Sequence, residues 1–322
     1  MPDASSDGPA VVTGGAGAIG SSLVRALLAR GREVRVVDNL SSGRRDHLPT
    51  GPDAARLTVV AADLREPATY RAACAGVSDV WHLAANTDIQ RGSADPRIDF
   101  EHGARATFEV LEAARAAGVP RFFFASSSAV YGRATVLPTP EEYGPLAPES
   151  LYGAGKLAAE GLCAAYAHSY GLRVVVYRFA NIIGPGMTHG VLYDFFEKLR
   201  RDPTRLEVLG DGRQSKSYLR TEDCVAGMLV GADRTNGPFH LFNLGTRDRT
   251  SVREIAEKVV AAHGGRARIE YRGGERGWTG DVPQALLAID RIEALGWRPS
   301  TTSGGAIDRT FAEMVAARRA SG

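Results

Sequence analysis

Residues 10–20, AVVTGGAGAIG, decide the fold of this chain. Short apolar residues typical of a buried strand lead into Gly14, Gly17 and Gly20, and helical periodicity begins at Ile19. Glycines at this spacing allow a tight turn and let the backbone approach a pyrophosphate, which then lies at the N-terminus of the helix. The stretch therefore predicts a strand–turn–helix unit that binds a dinucleotide.

Strands and helices alternate through the first half of the chain. This alternation predicts an α/β fold, a Rossmann-type doubly wound parallel sheet with helices on both faces. Ligands of such sheets bind at the carboxyl ends of the strands. The predicted strands are 10–13, 33–37, 57–61, 79–83, 121–125 and 173–177, and the two long helices are 98–117 and 152–170.

The pattern changes after Gly184-Pro185-Gly186, where helices are separated by short strands and loops rich in glycine and proline. We expect an NAD-binding domain over residues 1–184, and over 185–322 mainly a smaller α+β lobe that binds the substrate. The chain is expected to cross between the lobes more than once. The predicted helices of this part lie near 190–201, 222–233, 251–263 and 303–318.

Composition limits the class of protein. The 322 residues carry a formal net charge of +2, which gives no field that favours nucleic acid or an anionic membrane. The N-terminus lacks an apolar signal segment, and no apolar run approaches the roughly 18 residues of a membrane span. Cys74, Cys163 and Cys224 lie far apart without metal-ligand spacing. We expect a cytoplasmic protein without a metal site.

The cofactor is read from the end of the second strand. Asp38 follows Gly20 by 18 residues, where a carboxylate accepts hydrogen bonds from the adenosine ribose. It also repels a 2′-phosphate, so NAD is favoured over NADP. Arg44 and Arg45 keep NADP open, because a nearby arginine can accommodate that phosphate.

A second motif points to the chemistry. Tyr152 and Lys156 are four residues apart and so share one face of a helix. A tyrosine with a pKa near 10 is a poor base at pH 7, so we expect the Lys156 ammonium and a positive nicotinamide ring to lower the pKa of Tyr152. The alternative is a surface pair. The hydroxyls of 126–128, which end a strand, favour a site that oxidises a hydroxyl group.

Eight motifs in a fixed order carry a resemblance that runs from about Val11 to Phe311. They are TGGAGAIG, DNLSSG, HLAAN, ASSSAVYG, YGAGK, RFANIIGPG, GDGRQSKSYL and GDVPQALLAIDRIEALGWRP. The chain resembles the extended short-chain dehydrogenase/reductase family, and within it UDP-galactose 4-epimerases. The resemblance implies NAD as cofactor, a UDP-sugar as substrate, and a homodimer formed through the helices near 98–117 and 152–170.

The resemblance also assigns roles to individual residues. Ser127, four residues before the Tyr131 of the VYG motif, matches the catalytic hydroxyl, and Tyr152 and Lys156 match the catalytic pair. The implied cofactor-binding residues are Gly14, Gly17, Ala18, Ile19, Gly20, Asp38, Asn39, Leu40, Ser42, Gly43, Asp63, Leu64, Leu83, Ala84, Ala85, Tyr152, Lys156 and Phe179.

On the substrate side, Lys216 stands where the family has a phosphate-binding arginine, and Asp281 matches an acid that binds the UDP ribose. Gly103 replaces an asparagine near the nicotinamide, and Gly155 replaces a serine. The implied substrate-binding residues are Ser127, Ser128, Tyr152, Asn181, Val191, Val208, Leu209, Lys216, Tyr218, Arg276 and Asp281.

The implied reaction inverts C4 of the sugar in two half-steps. Tyr152 takes the proton of the 4-hydroxyl while a hydride leaves C4, and a 4-keto sugar forms and is reduced on its other face. A 4,6-dehydratase would need an acid–base pair directly after the catalytic hydroxyl, where this chain has Ser128 and Ala129. A UDP-glucuronate decarboxylase would need a glutamate in the same segment, and this segment has none. These absences favour an epimerase.

The identity of the sugar stays open. In the family a tyrosine four positions after the residue matched by Asp281 blocks an N-acetyl group, and here Ala285 predicts that UDP-GlcNAc and UDP-GalNAc are accepted too. Loops 86–92 and 186–192, with Asp88, Gln90, Arg91 and His189, are expected near the sugar. The alternatives are a 4-epimerase of UDP-glucuronate or another NDP-sugar, an NDP-4-keto-sugar reductase, and a non-enzymatic NAD-sensing protein.

Overall fold

The computed structural model describes residues 8–320 except 87, 89–91, 93, 276, 278 and 279. Its centre is a parallel seven-stranded sheet in the order β11-β6-β5-β4-β1-β2-β3. The predicted α/β fold of the Rossmann type is confirmed. The strands of this sheet are β1 (Ala10–Thr13), β2 (Val34–Asp38), β3 (Leu57–Ala61), β4 (Asp79–His82), β5 (Arg121–Ser127), β6 (Arg173–Phe179) and β11 (Phe239–Leu244).

The seventh strand was not predicted. Strand β11 pairs with β6 although residues 180–238 separate the two strands in the chain. The chain therefore leaves the sheet after β6 and returns to it. The remaining strands are β7 (Asn181–Ile183), β8 (Arg205–Val208), β9 (Ser215–Lys216), β10 (Tyr218–Arg220), β12 (Thr250–Ser251), β13 (Arg268–Tyr271) and β14 (Gln284–Ala285), which form three small sheets, β7 with β10, β8 with β13, and β9 between β12 and β14.

Helices cover both faces of the large sheet. Apolar clusters lie on each face, and a third cluster around Leu206 and Ile255 forms the core of the later part of the chain. None of the helices in the described part of the chain has the length and apolar character needed to cross a membrane. The helices are α1 (Ala18–Ala29), α2 (Pro96–Asp99), α3 (Ala106–Ala116), α4 (Leu151–Tyr170), α5 (Val191–Arg201), α6 (Thr221–Asp233), α7 (Val252–Ala262), α8 (Asp290–Ala294) and α9 (Ser303–Ala320).

The predicted continuous helix 98–117 is interrupted. Helices α2 and α3 are joined by a π-helical segment, Phe100–Arg105, with Gly103 within it. Such segments are rare and are frequent at functional sites. This one packs against α4, which carries Tyr152 and Lys156.

The strand order places the functional crevice. Strand β1 lies between β4 and β2, so the chain reverses direction across the sheet at this point. Connections leave the carboxyl ends of β1 and β4 to opposite faces, and ligands of open α/β sheets bind in the crevice that results. The glycine loop after β1 lies at this edge.

Candidate active site

The turn after β1 can be built only with glycine at two positions. Gly14 has a φ of +67°, and a Cβ atom there would lie 2.7 Å from the backbone nitrogen of Ala84. A Cβ atom on Gly20 would overlap the carbonyl oxygen of Gly14. Gly17 is the N-cap residue of α1 and has no side chain to cap the helix. The free amide groups of the first turn are thus available to a pyrophosphate.

Asp38 lies against this loop at the end of β2. Its carboxylate accepts hydrogen bonds from the amide of Ala16 at 2.9 Å and from that of Leu40 at 2.8 Å. A Cβ atom on Gly43 would lie 3.0 Å from the carboxylate, so only glycine leaves it uncrowded. Arg44 donates to Asp46 at 2.9 Å rather than pointing alone into the site. The site thus presents a carboxylate where a 2′-phosphate would lie, which fits NAD.

Further residues assigned to the cofactor lie at the carboxyl ends of neighbouring strands. The amides of Leu83 and Ala84 donate to the backbone and the hydroxyl of Thr13, which ties the end of β4 to β1. Asp63 is held by Arg65 at 2.6 Å, and this ion pair holds the pKa of Asp63 well below its usual range. The others in these segments are Ala18 and Ile19 in α1, Asn39 and Ser42 after β2, Leu64 after β3, Ala85 after β4 and Phe179 at the end of β6.

The three predicted catalytic residues come together. Ser127 ends β5, and its hydroxyl lies close enough to the Tyr152 phenol to act on the pKa of that group. Lys156 lies one turn further along α4, is 3% exposed, and donates from Nζ to the carbonyl oxygen of Ala125 at 2.6 Å. Its Nζ lies 5.9 Å from the centre of the Tyr152 ring. The carbonyl near the end of β5 thus holds Lys156 beside the tyrosine.

Burial shifts the pKa of both members of the pair. Burial raises the pKa of Tyr152 to about 12, the nearby Ser127 hydroxyl opposes this, and the charge of Asp99 adds to it. Burial also lowers the pKa of Lys156 to about 8. In the chain without a nicotinamide, desolvation of the phenol outweighs the opposing effect of Ser127. The lowering of the Tyr152 pKa by Lys156 and a bound nicotinamide ring stays a prediction.

The two departures from the family pattern touch each other. A Cβ atom on Gly103 would lie 3.3 Å from Cα of Gly155. A Cβ atom on Gly155 would lie 2.8 Å from the carbonyl oxygen of Asp99, closer than real contacts allow. The serine usual at this position has no room here, because the segment from Asp99 to Gly103 packs directly on α4.

The structure adds a residue that the sequence did not single out. Asp99 is 3% exposed and accepts from the side-chain amide of Asn86 at 2.8 Å. Its second carboxylate oxygen has no hydrogen-bond partner among the described residues. Burial raises the pKa of Asp99. No local motif marks Asp99, and only its packing between the loop after β4 and the start of α4 reveals it.

Two residues predicted on the substrate side contact each other. Lys216 donates to Asp281 at 2.6 Å, and the second oxygen of Asp281 accepts from the amide of Gly277 at 3.1 Å. Asp281 is 4% exposed. Its two oxygens therefore fix the loop that contains Gly277 beside Lys216.

The other predicted substrate residues lie on several elements and differ in exposure. Val208 is fully buried in the apolar cluster around Leu206 and Ile255, so only its backbone can face a ligand, whereas Leu209 beside it is 44% exposed. Ser128 follows Ser127 in a short 3₁₀ turn, and Asn181 pairs with the buried Tyr218 in the sheet of β7 and β10. Val191 begins α5. Arg276, Trp278, Gln90 and Arg91 lie outside the described residues.

Histidines take structural or peripheral positions. His82 is fully buried and hydrogen-bonds Thr13 at 2.7 Å and Thr107 at 3.0 Å. Burial lowers its pKa to about 3, so the ring is neutral. His189 is exposed beside Thr188. No group of three or more His, Cys, Asp or Glu side chains in the described ranges is placed to hold a metal ion.

With this geometry in place, three comparisons identify relatives. A family model described as the NAD dependent epimerase/dehydratase family matches residues 10–245. The UDP-glucose 4-epimerase of Mycolicibacterium smegmatis is 34% identical over 307 residues, which cover 93% of this chain and 96% of that protein.

Solved structures with a similar backbone fold include epimerases as well. A crystal structure of a UDP-galactose 4-epimerase has a TM-score of 0.86 and 42% identity, and the match covers 96% of this chain and 99% of that one. The UDP-glucose 4-epimerase of Thermus thermophilus, solved in complex with NAD, has a TM-score of 0.84 and 31% identity, with coverage of 94% and 98%. These likenesses extend over both the large sheet and the later lobe.

Proposed function

This chain belongs to the NAD dependent epimerase/dehydratase family, and from that premise we propose that it interconverts UDP-glucose and UDP-galactose by inversion at C4. Membership confirms the resemblance carried by the motifs. The chain is an isomerase that uses NAD on UDP-sugars. The identity of the sugar is the part that we propose.

The observation that carries the proposal is the placement of the Ser127 hydroxyl beside the Tyr152 phenol, with Lys156 one helical turn away and its Nζ 5.9 Å from the centre of the Tyr152 ring. A phenol and a hydroxyl aimed at the same point can bind one substrate hydroxyl between them. This arrangement supports proton abstraction from a secondary alcohol. It needs no further acid or base.

The residues present fit NAD. Gly14, Gly17 and Gly20 leave room for the diphosphate at the start of α1, and Asp38 would accept from the ribose hydroxyls. Lys156 and Phe179 would lie on the nicotinamide side of the site. Bound there, the cofactor would supply the hydride acceptor for C4 of the sugar and the hydride donor for its return.

The chain's own groups handle the proton. Tyr152 accepts the proton of the sugar 4-hydroxyl on its phenol oxygen as C4 becomes a ketone. Ser127 donates a hydrogen bond that orients the sugar oxygen. Lys156 holds a positive charge beside the phenolate. The same proton returns from Tyr152 to the 4-oxygen when the ketone is reduced on its other face, so the net reaction is an inversion without loss of electrons.

The residues after Ser127 support epimerisation over elimination. Ser128 and Ala129 stand where a 4,6-dehydratase needs an acid and a base, and neither side chain can remove a proton from C5 or protonate a leaving hydroxyl. Without such an acid and base, the 4-keto sugar can react further only by reduction at C4. Asp38 opposes the reductase alternative, since such enzymes usually use NADPH.

We also propose that N-acetylated UDP-sugars are accepted. Ala285 pairs in register with Lys216 in the small sheet of β9 and β14, and Lys216 contacts Asp281. The short side chain thus lies next to the pair expected to hold the ribose and diphosphate. An alanine leaves volume there that a tyrosine would fill.

The experiment is direct. The purified protein is incubated without added reductant with UDP-glucose, UDP-N-acetylglucosamine, UDP-glucuronate and dTDP-glucose, and the products are followed by NMR. We expect inversion at C4 of the first two. Inversion of UDP-glucuronate or dTDP-glucose alone would favour the alternative substrates, and inversion of none would refute a 4-epimerase.

Two further proposals concern assembly and organisation. We propose a homodimer through an apolar surface on α3 and α4, where Phe108 and Tyr170 are 42% and 58% exposed and each ring lies beside that of Tyr166. The lobe division at residue 184 stays a proposal, supported by the separate apolar core around Leu206. Strand β11 is the part of 185–322 that returns to the large sheet.

We propose the cytoplasm as the compartment. Cys74, Cys163 and Cys224 are buried and unpaired, and burial raises the pKa of each thiol. Free thiols of this kind suit a reducing environment. Measuring the three thiols in protein isolated from its own cell would test this.

A further inference from the structure

Three buried polar side chains form a hydrogen-bonded cluster next to the catalytic residues in the sequence of β5 and α4. Arg178 donates to both carboxylate oxygens of Glu160, at 2.9 Å from Nε and 2.6 Å from Nη2. The hydroxyl of Ser126 donates to the same carboxylate. Ser126, Glu160 and Arg178 are 2%, 5% and 4% exposed. We call these three residues the Glu160 cluster.

Each member of the Glu160 cluster belongs to an element that carries a functional residue. Ser126 precedes Ser127 at the end of β5, and Arg178 precedes Phe179 at the end of β6. Glu160 lies one helical turn after Lys156 on α4. The cluster thus connects β5, α4 and β6. The relative placement of these three elements sets the positions of the Ser127 hydroxyl, of the helix that carries Tyr152 and Lys156, and of Phe179.

The cluster is itself held from the far side. The guanidinium of Arg178 lies 4.6 Å from the centre of the Tyr131 ring and donates to the carbonyl of Glu141 at 3.2 Å. Tyr131 donates to Asn243 on β11 at 2.8 Å, and the amide of Asn243 donates to the Glu141 carboxylate at 3.0 Å. Buried groups with all partners satisfied allow little alternative packing.

We propose that Glu160 and Arg178 are positioning residues, which fix Ser127, Lys156 and Phe179 relative to one another. This inference rests on the proposed function. A bidentate arginine–carboxylate pair has a narrow geometry, so it sets the spacing of α4 from β5 and β6. A displacement of the reacting groups by about 1 Å can lower a rate by about 100-fold.

The test compares two buried arginines of the same sheet. Glu160→Gln combined with Arg178→Met removes both charges, so neither is left buried alone. Arg121→Met is the control, because Arg121 is also buried, at the other end of β5, and its partner Asp79 keeps Arg32 at 2.9 Å. We expect the double variant to retain NAD and its KM within threefold and to lose about 10- to 100-fold in kcat, while Arg121→Met keeps kcat within threefold.

A folded, NAD-loaded double variant with wild-type kcat overturns the proposal, as does an equal loss in Arg121→Met. If the double variant does not fold, Ser126→Ala removes only one hydroxyl contact to Glu160. It should lower kcat about threefold or more at unchanged KM, and an unchanged kcat overturns the proposal.

The wild type measured in parallel separates this inference from the proposed function. If the wild type inverts no sugar, the proposed function is refuted, but the positioning role of Glu160 and Arg178 can still be tested. The test is then the ultraviolet titration of the Tyr152 phenol, obtained as the difference from Tyr152→Phe. The double variant should raise the apparent pKa, because a displaced Ser127 hydroxyl stabilises the phenolate less, and Arg121→Met should not. An unmoved titration in the double variant overturns the proposal.

Discussion

The carbonyl oxygen of Asp99 lies 2.8 Å from the position that a Cβ atom on Gly155 would occupy. Gly155 lies one turn from the catalytic tyrosine on α4, and Asp99 is the last residue of α2, directly before the π-helical segment that packs on α4. The loss of a side chain at residue 155 and the close approach of this segment are therefore one structural feature. It brings the Asp99 carboxylate near enough to Tyr152 to raise the pKa of the phenol.

This contact predicts opposite effects of alanine at two glycines of the same helix. Gly155→Ala forces the carbonyl of Asp99 away and should lower the free energy of unfolding by about 1–3 kcal/mol. Gly161→Ala meets no atom within 4 Å and should raise it by about 0.5–1 kcal/mol, because alanine favours the helix. Urea denaturation measures both. Equal stabilisation by the two substitutions would show that the Asp99 contact is not tight.

The buried His82 predicts a loss of stability in mild acid. Its pKa is about 3 in the folded chain and 6.5 when unfolded, so the unfolded state binds the extra proton and stability falls as the pH drops below 6.5. Between pH 6.5 and 5 this amounts to about 2 kcal/mol. His82→Gln should lack this part of the acid sensitivity, and the exposed His168→Gln should retain it. Parallel urea denaturations at the two pH values measure the difference.

The acceptance of N-acetylated UDP-sugars should depend on residue 285. Ala285→Tyr fills the space beside Lys216, so the rate on UDP-N-acetylglucosamine should fall about 10-fold or more relative to UDP-glucose. The rate on UDP-glucose itself serves as the internal control. An unchanged ratio of kcat/KM for the two sugars would remove Ala285 as the gate.

The apolar surface on α3 and α4 predicts a change of oligomeric state. Phe108→Glu places a charge in the proposed interface and should convert a dimer into a monomer in light scattering after size exclusion. Val136→Glu is the control, because Val136 is 50% exposed but lies outside these helices. A monomeric wild type, or a dimer that withstands Phe108→Glu, would contradict the proposed interface.

Local patterns were enough to predict the parts of the site that lie close together in sequence. The glycine loop and the pair of Tyr152 and Lys156 follow from spacing alone, because a turn and one helix face fix their geometry. The positions of Asp38 and of the serine run 126–128 follow from the rule that parallel strands end at one edge, and the family resemblance singled out Ser127 within that run. The seven-stranded sheet was predicted except for β11, whose place depends on a distant return of the chain.

Relations between distant segments could not be predicted. Glu160 and Arg178 look like ordinary charged residues in the sequence, and only the fold brings them together in the interior. The contact of Gly103 with Gly155 requires the π-helical segment, and the spacing of hydrophobic residues in the sequence does not predict such a segment. The raised pKa of Tyr152 likewise depends on burial, which spacing alone does not measure.

The central claim is that a hydride leaves C4 of the sugar and returns to the same carbon while Tyr152 moves the proton. Incubation with UDP-[4-²H]glucose in ordinary water, followed by NMR, tests it most directly. The account predicts UDP-galactose that retains deuterium at C4, and no inversion by Tyr152→Phe although NAD stays bound. UDP-galactose with hydrogen at C4, or inversion by Tyr152→Phe, would contradict it.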